Sequence, residues 1–264
     1  MTWMTASRLF FALTMIATGI IGLVIGGFAP IWGGVPKDLP DRQVLAYLCT
    51  FVSLVCGTGL LAKRTAPKAA LLLFAYLSLW TIFFKVPFII REPLVEGSYQ
   101  STGENLVLVA AAWVLCAELP KGRLGGDGGL RIASVFYGLA LIAFGLSHFV
   151  YVSLTAPLVP AWLLAPLFWA YFTGAVYLVT GFLLVTGFGV RMAAALAAVQ
   201  IALITLLVWG PMVLAGNLTA MHWQETVVSW ALTAGALVIA ASYDGRPWLE
   251  RLGRRLPPHA ELAT

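Results

Sequence analysis

Eight apolar runs divide the chain, and each is close to the length that a helix needs to cross a bilayer. A transmembrane helix takes about 20 residues, and its backbone groups bond to one another because lipid offers them no partner. These runs are therefore predicted to be membrane-spanning helices. They cover residues 9–28, 44–62, 69–90, 105–119, 132–152, 163–186, 192–209 and 223–242. The fourth run is short, and a start nearer Tyr99 or a smaller tilt is the alternative for it.

The composition excludes a soluble protein. Of the 264 residues, 61% are hydrophobic and only 10% are charged, and the mean hydropathy is +0.92. A soluble domain carries about 25% charged residues, so this chain could not cover a surface that faces water. The net charge of +5 does not indicate nucleic-acid binding, because the basic residues lie between the apolar runs and near the C-terminus. Membrane lipids, with their anionic headgroups, are the expected partners.

One sequence unit of roughly 120 residues occurs twice, which indicates an internal repeat. The motifs Val35-Pro36, Ala46-Tyr47 and Gly57 match Val159-Pro160, Ala170-Tyr171 and Gly181. Further matches pair Pro87 with Pro211, Glu104 with Glu225, Arg64 with Arg191, and residues 8–22 with 131–145.

Each unit holds four predicted helices, and four is an even number. Both units therefore enter and leave the membrane on one side and form a parallel repeat. The predicted fold is an all-α polytopic membrane protein with eight transmembrane helices in two parallel four-helix repeats. The expected boundaries are 1–119 for the first unit, 120–130 for a Gly-rich linker, 131–243 for the second unit and 244–264 for a basic tail.

The Lys and Arg residues predict the orientation, because short cytoplasmic loops are enriched in them. Four of the 16 lie on one side, namely Lys37, Arg42, Lys85 and Arg91. The others lie on the side of the two termini, which is therefore predicted to be cytoplasmic. They are Arg8, Lys63, Arg64, Lys68, Lys121, Arg123, Arg131, Arg191, Arg246, Arg251, Arg254 and Arg255.

Polar residues inside the membrane are costly and often functional. In the predicted topology, those of this chain cluster near the outer ends of the helices. The candidate site residues are His148, Tyr171, Tyr47, Lys85, Glu104, His222 and Glu225. Their placement predicts a polar-lined cavity that faces the outer leaflet.

Each candidate also has an ordinary structural interpretation. Glu104 and Glu225 fit first-turn carboxylates that complement a helix dipole. Lys85 fits a side chain that snorkels to the headgroups, or one that pairs with either glutamate. His148 fits a hydrogen-bonded structural residue, a ligand or a proton relay, and His222 fits a solvated position.

The remaining side chains do not indicate metal or dithiol chemistry. Tyr47 and Tyr171 also fit an aromatic belt at the membrane interface. Cys49, Cys56 and Cys116 all lie in apolar runs without C-x-x-C spacing, so they are predicted to be buried hydrophobic residues. No metal site is expected.

Several motifs carry a resemblance to a known family. They are Gly145-Leu-Ser-His148, Ala170-Tyr171-Phe-Thr-Gly174, Gly181-Phe-Leu-Leu and Gly187-Phe-Gly-Val-Arg191. The chain resembles the DoxX family of bacterial membrane proteins, whose unit is four helices. The resemblance implies the bacterial inner membrane and quinone-linked redox work. It also implies structural roles for Arg64, Arg191, Gly57 and Gly181, and it supplies no catalytic set.

Three functions remain open. The first is a quinone-linked redox subunit, in which His148 or Tyr171 binds a quinone carbonyl and Glu225 passes protons outward. Its electrons would come from a soluble redox enzyme or a small reductant. The second is a protein that binds or transports a lipid or small hydrophobic molecule without chemistry. The third is a membrane scaffold for a soluble enzyme.

Overall fold

Eight long helices make up most of the computed structural model, which describes residues 2–117, 125–216 and 219–250. Within these ranges there is no β-strand, so the predicted all-α class is confirmed. The helices are α1 Trp3–Ile25, α2 Arg42–Leu61, α3 Ala66–Arg91, α4 Glu96–Ala117, α5 Gly126–Val150, α6 Pro166–Thr186, α7 Val190–Ala215 and α8 Ala220–Ala241.

Seven of these helices are long and apolar enough to cross a membrane, as expected of a polytopic membrane protein. The predicted fourth span is present as helix α4, but it is not among the seven apolar helices. It begins at Glu96, nine residues before the start of the run 105–119 and three before the alternative start at Tyr99, and its first half also carries Gln100, Glu104 and Asn105. The helix lies between α3, α5 and α8, and Asn105 is buried. Its polar residues therefore face protein, and a test for apolar composition misses the helix.

A π-helical turn interrupts both α3 and α7. The turns are Thr81–Lys85 and Thr205–Trp209, and a proline follows each of them, Pro87 in α3 and Pro211 in α7. Proline has no N–H, and its ring crowds the carbonyl four residues earlier. The backbone widens there instead of breaking. Such turns are frequent at functional sites.

Glycines set the closest approach of neighbouring helices. An ideal Cβ at Gly181 would lie 2.7 Å from the carbonyl oxygen of Gly138 and 3.0 Å from the amide nitrogen of Ile142. A Cβ at Gly57 would lie 2.9 Å from the carbonyl oxygen of Ala12. Small residues allow helix backbones to approach in this way. Pairs α1–α2 and α5–α6 both depend on it.

Arginine side chains join the helices at the end of the bundle that holds the termini. Arg131 donates to the carbonyl oxygen of Leu184 at 2.7 Å and to that of Val185, so it caps the end of α6. Arg191 donates to the carbonyl oxygen of Arg246 at 2.5 Å, and its guanidinium lies 4.3 Å from the ring of Trp248.

Three further predictions can be compared with the structure: the linker, the role of Arg64 and the tail. Helix α5 begins at Gly126, inside the predicted linker 120–130, while residues 118–124 lie outside the described ranges. Arg64 is exposed and makes no hydrogen bond or ion pair with another described residue. Residues 251–264 of the predicted tail also lie outside the described ranges.

Candidate functional site

A cavity of about 880 Å³ lies between α4, α5, α6, α7 and α8. Most of its wall residues come from the first half of α4, the end of α5 and the segment 151–163 that follows it, the first halves of α6 and α8, and the middle of α7. Pro30 and Gly33, before α2, also line it. Because these helices alternate in direction, the cavity lies at the end of the bundle away from the termini. Sites for small ligands have volumes of about 300–1,000 Å³, so this cavity can hold one.

Four of the seven candidates from the sequence line this cavity: Glu104, His148, His222 and Glu225. Three different helices supply them, α4, α5 and α8. The structure adds polar wall residues that the sequence analysis missed: Glu96, Gln100, Ser101, Tyr177 and Gln200. The carboxylates of Glu96, Glu104 and Glu225 are close enough to interact electrostatically. Polar groups of the cavity are thus concentrated where α4 and α8 begin.

Lys85 lies behind the wall and not in it. Its side chain is 2% exposed, and its Nζ donates to Ser101 Oγ at 2.6 Å. Snorkelling is therefore wrong for this residue. A direct ion pair is also absent, because the only ion pairs within 4 Å among the described residues are Arg191–Asp244 and Arg246–Asp127. Lys85 still interacts electrostatically with Glu104 at longer range.

The two predicted tyrosines lie outside the cavity. Tyr47 and Tyr171 are 50% and 41% exposed and are not wall residues. The ring of Tyr171 packs on Phe149 with a centroid distance of 5.5 Å. Tyr177, further along the same helix, faces the cavity, and its ring lies 5.5 Å from that of His148. Spacing within an apolar helix does not show which tyrosine points inward.

Two side chains in the wall are held by backbone carbonyls. Nδ1 of His148 lies 2.8 Å from the carbonyl oxygen of Phe144. Nε2 of Gln200 donates to the carbonyl oxygen of Thr173 at 2.9 Å. Both contacts fix the side chain, so the remaining polar atoms of each have a defined position.

Hydroxyl groups join α7 to α8 beside the cavity, and one of them, that of Ser229, belongs to a wall residue. Thr205 Oγ1, in the π turn, lies 2.7 Å from Ser229 Oγ and 2.7 Å from Thr233 Oγ1. All three residues are buried. The hydroxyls satisfy one another, so they hold the two helices together without leaving polar atoms open.

The cavity is open and not enclosed. Several of its apolar wall residues are exposed: Leu154, Phe172, Leu196, Val199, Leu203 and Leu207. Four of them lie on α7, a helix of membrane-spanning length. Exposed apolar residues in the wall suit a ligand with an apolar body.

The cysteines take no part in the cavity. Cys49, Cys56 and Cys116 are free and buried, and none lines the wall. Cys49 Sγ lies 3.5 Å from the hydroxyl of Tyr76. In the part of the chain that the structure describes, no three His, Cys, Asp or Glu side chains are grouped to hold a metal ion.

No protein-family model, curated protein or solved structure matches the chain. The resemblance to the DoxX family therefore stays a prediction from the sequence motifs.

Proposed function

We propose that this chain binds a quinone in the cavity and serves as the membrane subunit of a quinone-linked redox system. The observation that carries the proposal is an open cavity with an aromatic and aliphatic body and one polar end. A quinone has a flat ring with polar groups and an apolar tail. Its ring is expected to pack on the aromatic wall residues Trp169, Phe172 and Tyr177, because aromatic rings pack favourably on one another.

In this proposal the polar end handles the ring oxygens. His148 binds one oxygen, and Tyr177 replaces Tyr171 as the phenol that faces the ligand. Glu225 and His222 lie at the start of α8 and carry protons toward the aqueous side. Electrons come from a soluble redox enzyme or a small reductant. Both termini are cytoplasmic and the membrane is the bacterial inner membrane, supported by the Lys and Arg distribution and the DoxX-like motifs.

The architecture in this proposal is a pair of parallel four-helix repeats, α1–α4 and α5–α8. Helix contacts support it: α4 packs on α5, α8 packs on α1, and α4 packs on α8. A pseudo-twofold axis between α4 and α8 relates the first two contacts and maps the third onto itself. The two π turns and their prolines also match, about 124 residues apart.

Local contacts support one register for the two proposed repeats. Asn105 Nδ2 donates to Thr81 Oγ1 at 2.5 Å, as Ser229 bonds to Thr205. In this register Asn105 matches Ser229, and Glu104 and Glu225 differ by three residues from the match made on the sequence. The two glutamates are then neighbours in one cavity and not copies of one residue.

Aromatic residues of the first repeat occupy the positions that line the cavity in the second repeat. In α3, Tyr76, Trp80 and Phe84 pack with Trp32 and Phe28, at centroid distances from 4.3 to 6.2 Å. The matching positions of α7 are Gln200, Ile204 and Val208, and all three line the cavity. Smaller side chains in the second repeat leave open the volume that aromatic rings fill in the first.

A lipid-binding function is the second candidate, and the aliphatic part of the wall is equally compatible with it. Leu196, Val199, Leu203 and Leu207 of α7 line the cavity, which suits a saturated acyl chain as well as an isoprenoid tail. Assays of bound quinone and bound phospholipid separate the two.

The test is extraction of the purified protein, with assays of quinone and phospholipid. Ile204→Trp fills the cavity with the residue that α3 carries at the matching position, and Leu79→Trp places the same side chain on the lipid-facing surface as a control. We expect quinone with the wild type and the control, and its loss with Ile204→Trp. Phospholipid lost in the same pattern supports the second candidate. A protein that carries neither, or that loses neither in Ile204→Trp, contradicts both.

A further inference from the structure

His148 presents a hydrogen-bond acceptor to the cavity. A backbone carbonyl can only accept, so Nδ1, 2.8 Å from the carbonyl oxygen of Phe144, carries the proton. In the neutral ring, Nε2 then has a lone pair and no hydrogen. No described residue bonds to Nε2. A ligand at this atom has to donate a hydrogen bond.

Two amide side chains of the wall present their oxygens for the same reason. Gln200 turns its nitrogen to the carbonyl of Thr173, and its Oε1 is buried without a partner. Gln100 donates its Nε2 to Glu104 Oε1 at 3.3 Å. In each amide the nitrogen donates to a protein oxygen, so the amide oxygen is the atom that points away from this partner.

Carboxyl groups extend the set of acceptors in their ionised form. Glu96, Glu104 and Glu225 line the cavity, and Oε1 of Glu96 is buried without a partner. The wall also contains hydroxyls that can donate, from Ser101 and Tyr177. Ser101 accepts from Lys85, so its own proton is free for a ligand. The acceptors of α4, α5 and α8 lie together at the polar end.

A buried acceptor without a partner is destabilising, and a ligand that donates to it removes that cost. The two oxidation states of a quinone differ in this respect. The oxidised ring has two carbonyls, which only accept. The reduced ring has two hydroxyls, which donate.

We propose that the cavity selects the quinol over the quinone, through the acceptor atoms of His148, Gln200 and the three glutamates. The inference rests on the proposed quinone site and names the redox form that binds to it. One lost donor–acceptor pair in a buried site changes affinity by about tenfold. The quinol is therefore expected to bind at least about tenfold more tightly than the quinone of the same tail.

The experiment measures dissociation constants on the full-length protein in detergent by calorimetry. The probes are a decyl-tailed benzoquinone, its quinol held under argon, and decylamine as a donor-bearing cation. Gln200→Met removes one acceptor at similar size and is expected to reduce the preference by about tenfold. Tyr171→Phe, outside the cavity, is the matched control and should leave both affinities unchanged.

The outcomes separate the two proposals. Tighter binding of the quinol, with a preference that falls in Gln200→Met, supports the inference. Equal or tighter binding of the quinone overturns it and leaves the proposed function in place. Decylamine binding more tightly than both ring forms also overturns it, because the acceptors then select a cation. If neither ring form binds, the proposed function itself is wrong.

Discussion

Replacing Gly181 with alanine should destabilise the protein by forcing α5 and α6 apart. The new Cβ would lie 2.7 Å from the carbonyl oxygen of Gly138, 2.9 Å from Ile142 Cγ1 and 3.0 Å from Ile142 N, where ordinary contacts begin at 3.4 Å. Two of these three atoms belong to the backbone, so no side-chain rotation can relieve the contact. One helix has to move.

The size of the effect follows from two opposing terms. Overpacking a tight contact costs about 1–3 kcal/mol. Replacing a helical glycine with alanine stabilises the folded protein by about 0.5–1 kcal/mol, because alanine loses less chain entropy on folding. The net expectation for Gly181→Ala is a loss of about 1–2 kcal/mol in the free energy of unfolding. Gly57→Ala should behave similarly, because its Cβ would lie 2.8 Å from the amide nitrogen of Ile16.

Gly128→Ala is the matched control. It also lies in a helix, α5, but its Cβ would meet nothing within 4 Å. The control should be neutral or gain up to about 1 kcal/mol. Unfolding by SDS titration in mixed micelles measures all three proteins. If Gly181→Ala and Gly128→Ala unfold at the same SDS fraction, the helices do not approach as closely as stated and the reasoning fails.

Three further predictions concern polar side chains and topology. Lys85→Met removes the bond to Ser101 and the cation near Glu104 and should lower the melting temperature, whereas Lys85→Arg should recover part of it; an unchanged temperature in Lys85→Met would show that this bond contributes nothing. Thr205→Val should cost about 1–2 kcal/mol in the SDS titration because its hydroxyl joins α7 to α8, and equal stability would contradict that. Cysteines at Glu92 and Gly128, both exposed, should react only from outside and only from the cytoplasm, respectively; reversed labelling would refute the proposed orientation.

The sequence predicted the helices well where they face lipid. The run at 163–186 became a helix with the same end, Thr186, because lipid-facing positions have to be apolar whatever the interior does. For α4 the sequence placed the start of the helix too late, because Glu96 and Gln100 belong to the helix but face a cavity. Apolar composition indicates contact with lipid and not helix formation. It therefore does not identify the part of a helix that is surrounded by protein.

The candidate site was partly predictable for a related reason. Glu104, His148, His222 and Glu225 stood out because charge and imidazole are rare at membrane depth. Gln200 gave the same signal more weakly, as a neutral amide inside the apolar run 192–209. The sequence pattern does not give the direction in which a side chain points around the helix. That direction separates Tyr177, which faces the cavity, from Tyr47 and Tyr171, which are exposed outside it.

The two halves of the proposed repeat contribute differently to the cavity. In the first half, the aromatic rings around Trp80 fill the volume that is open beside Ile204 in the second half. The first half still contributes α4, whose Glu96, Gln100 and Glu104 form part of the cavity wall. The second half supplies most of the other wall residues and the open volume beside Ile204. Neither half alone carries both the acceptors and the space, so the site depends on the contacts of α4 with α5 and α8.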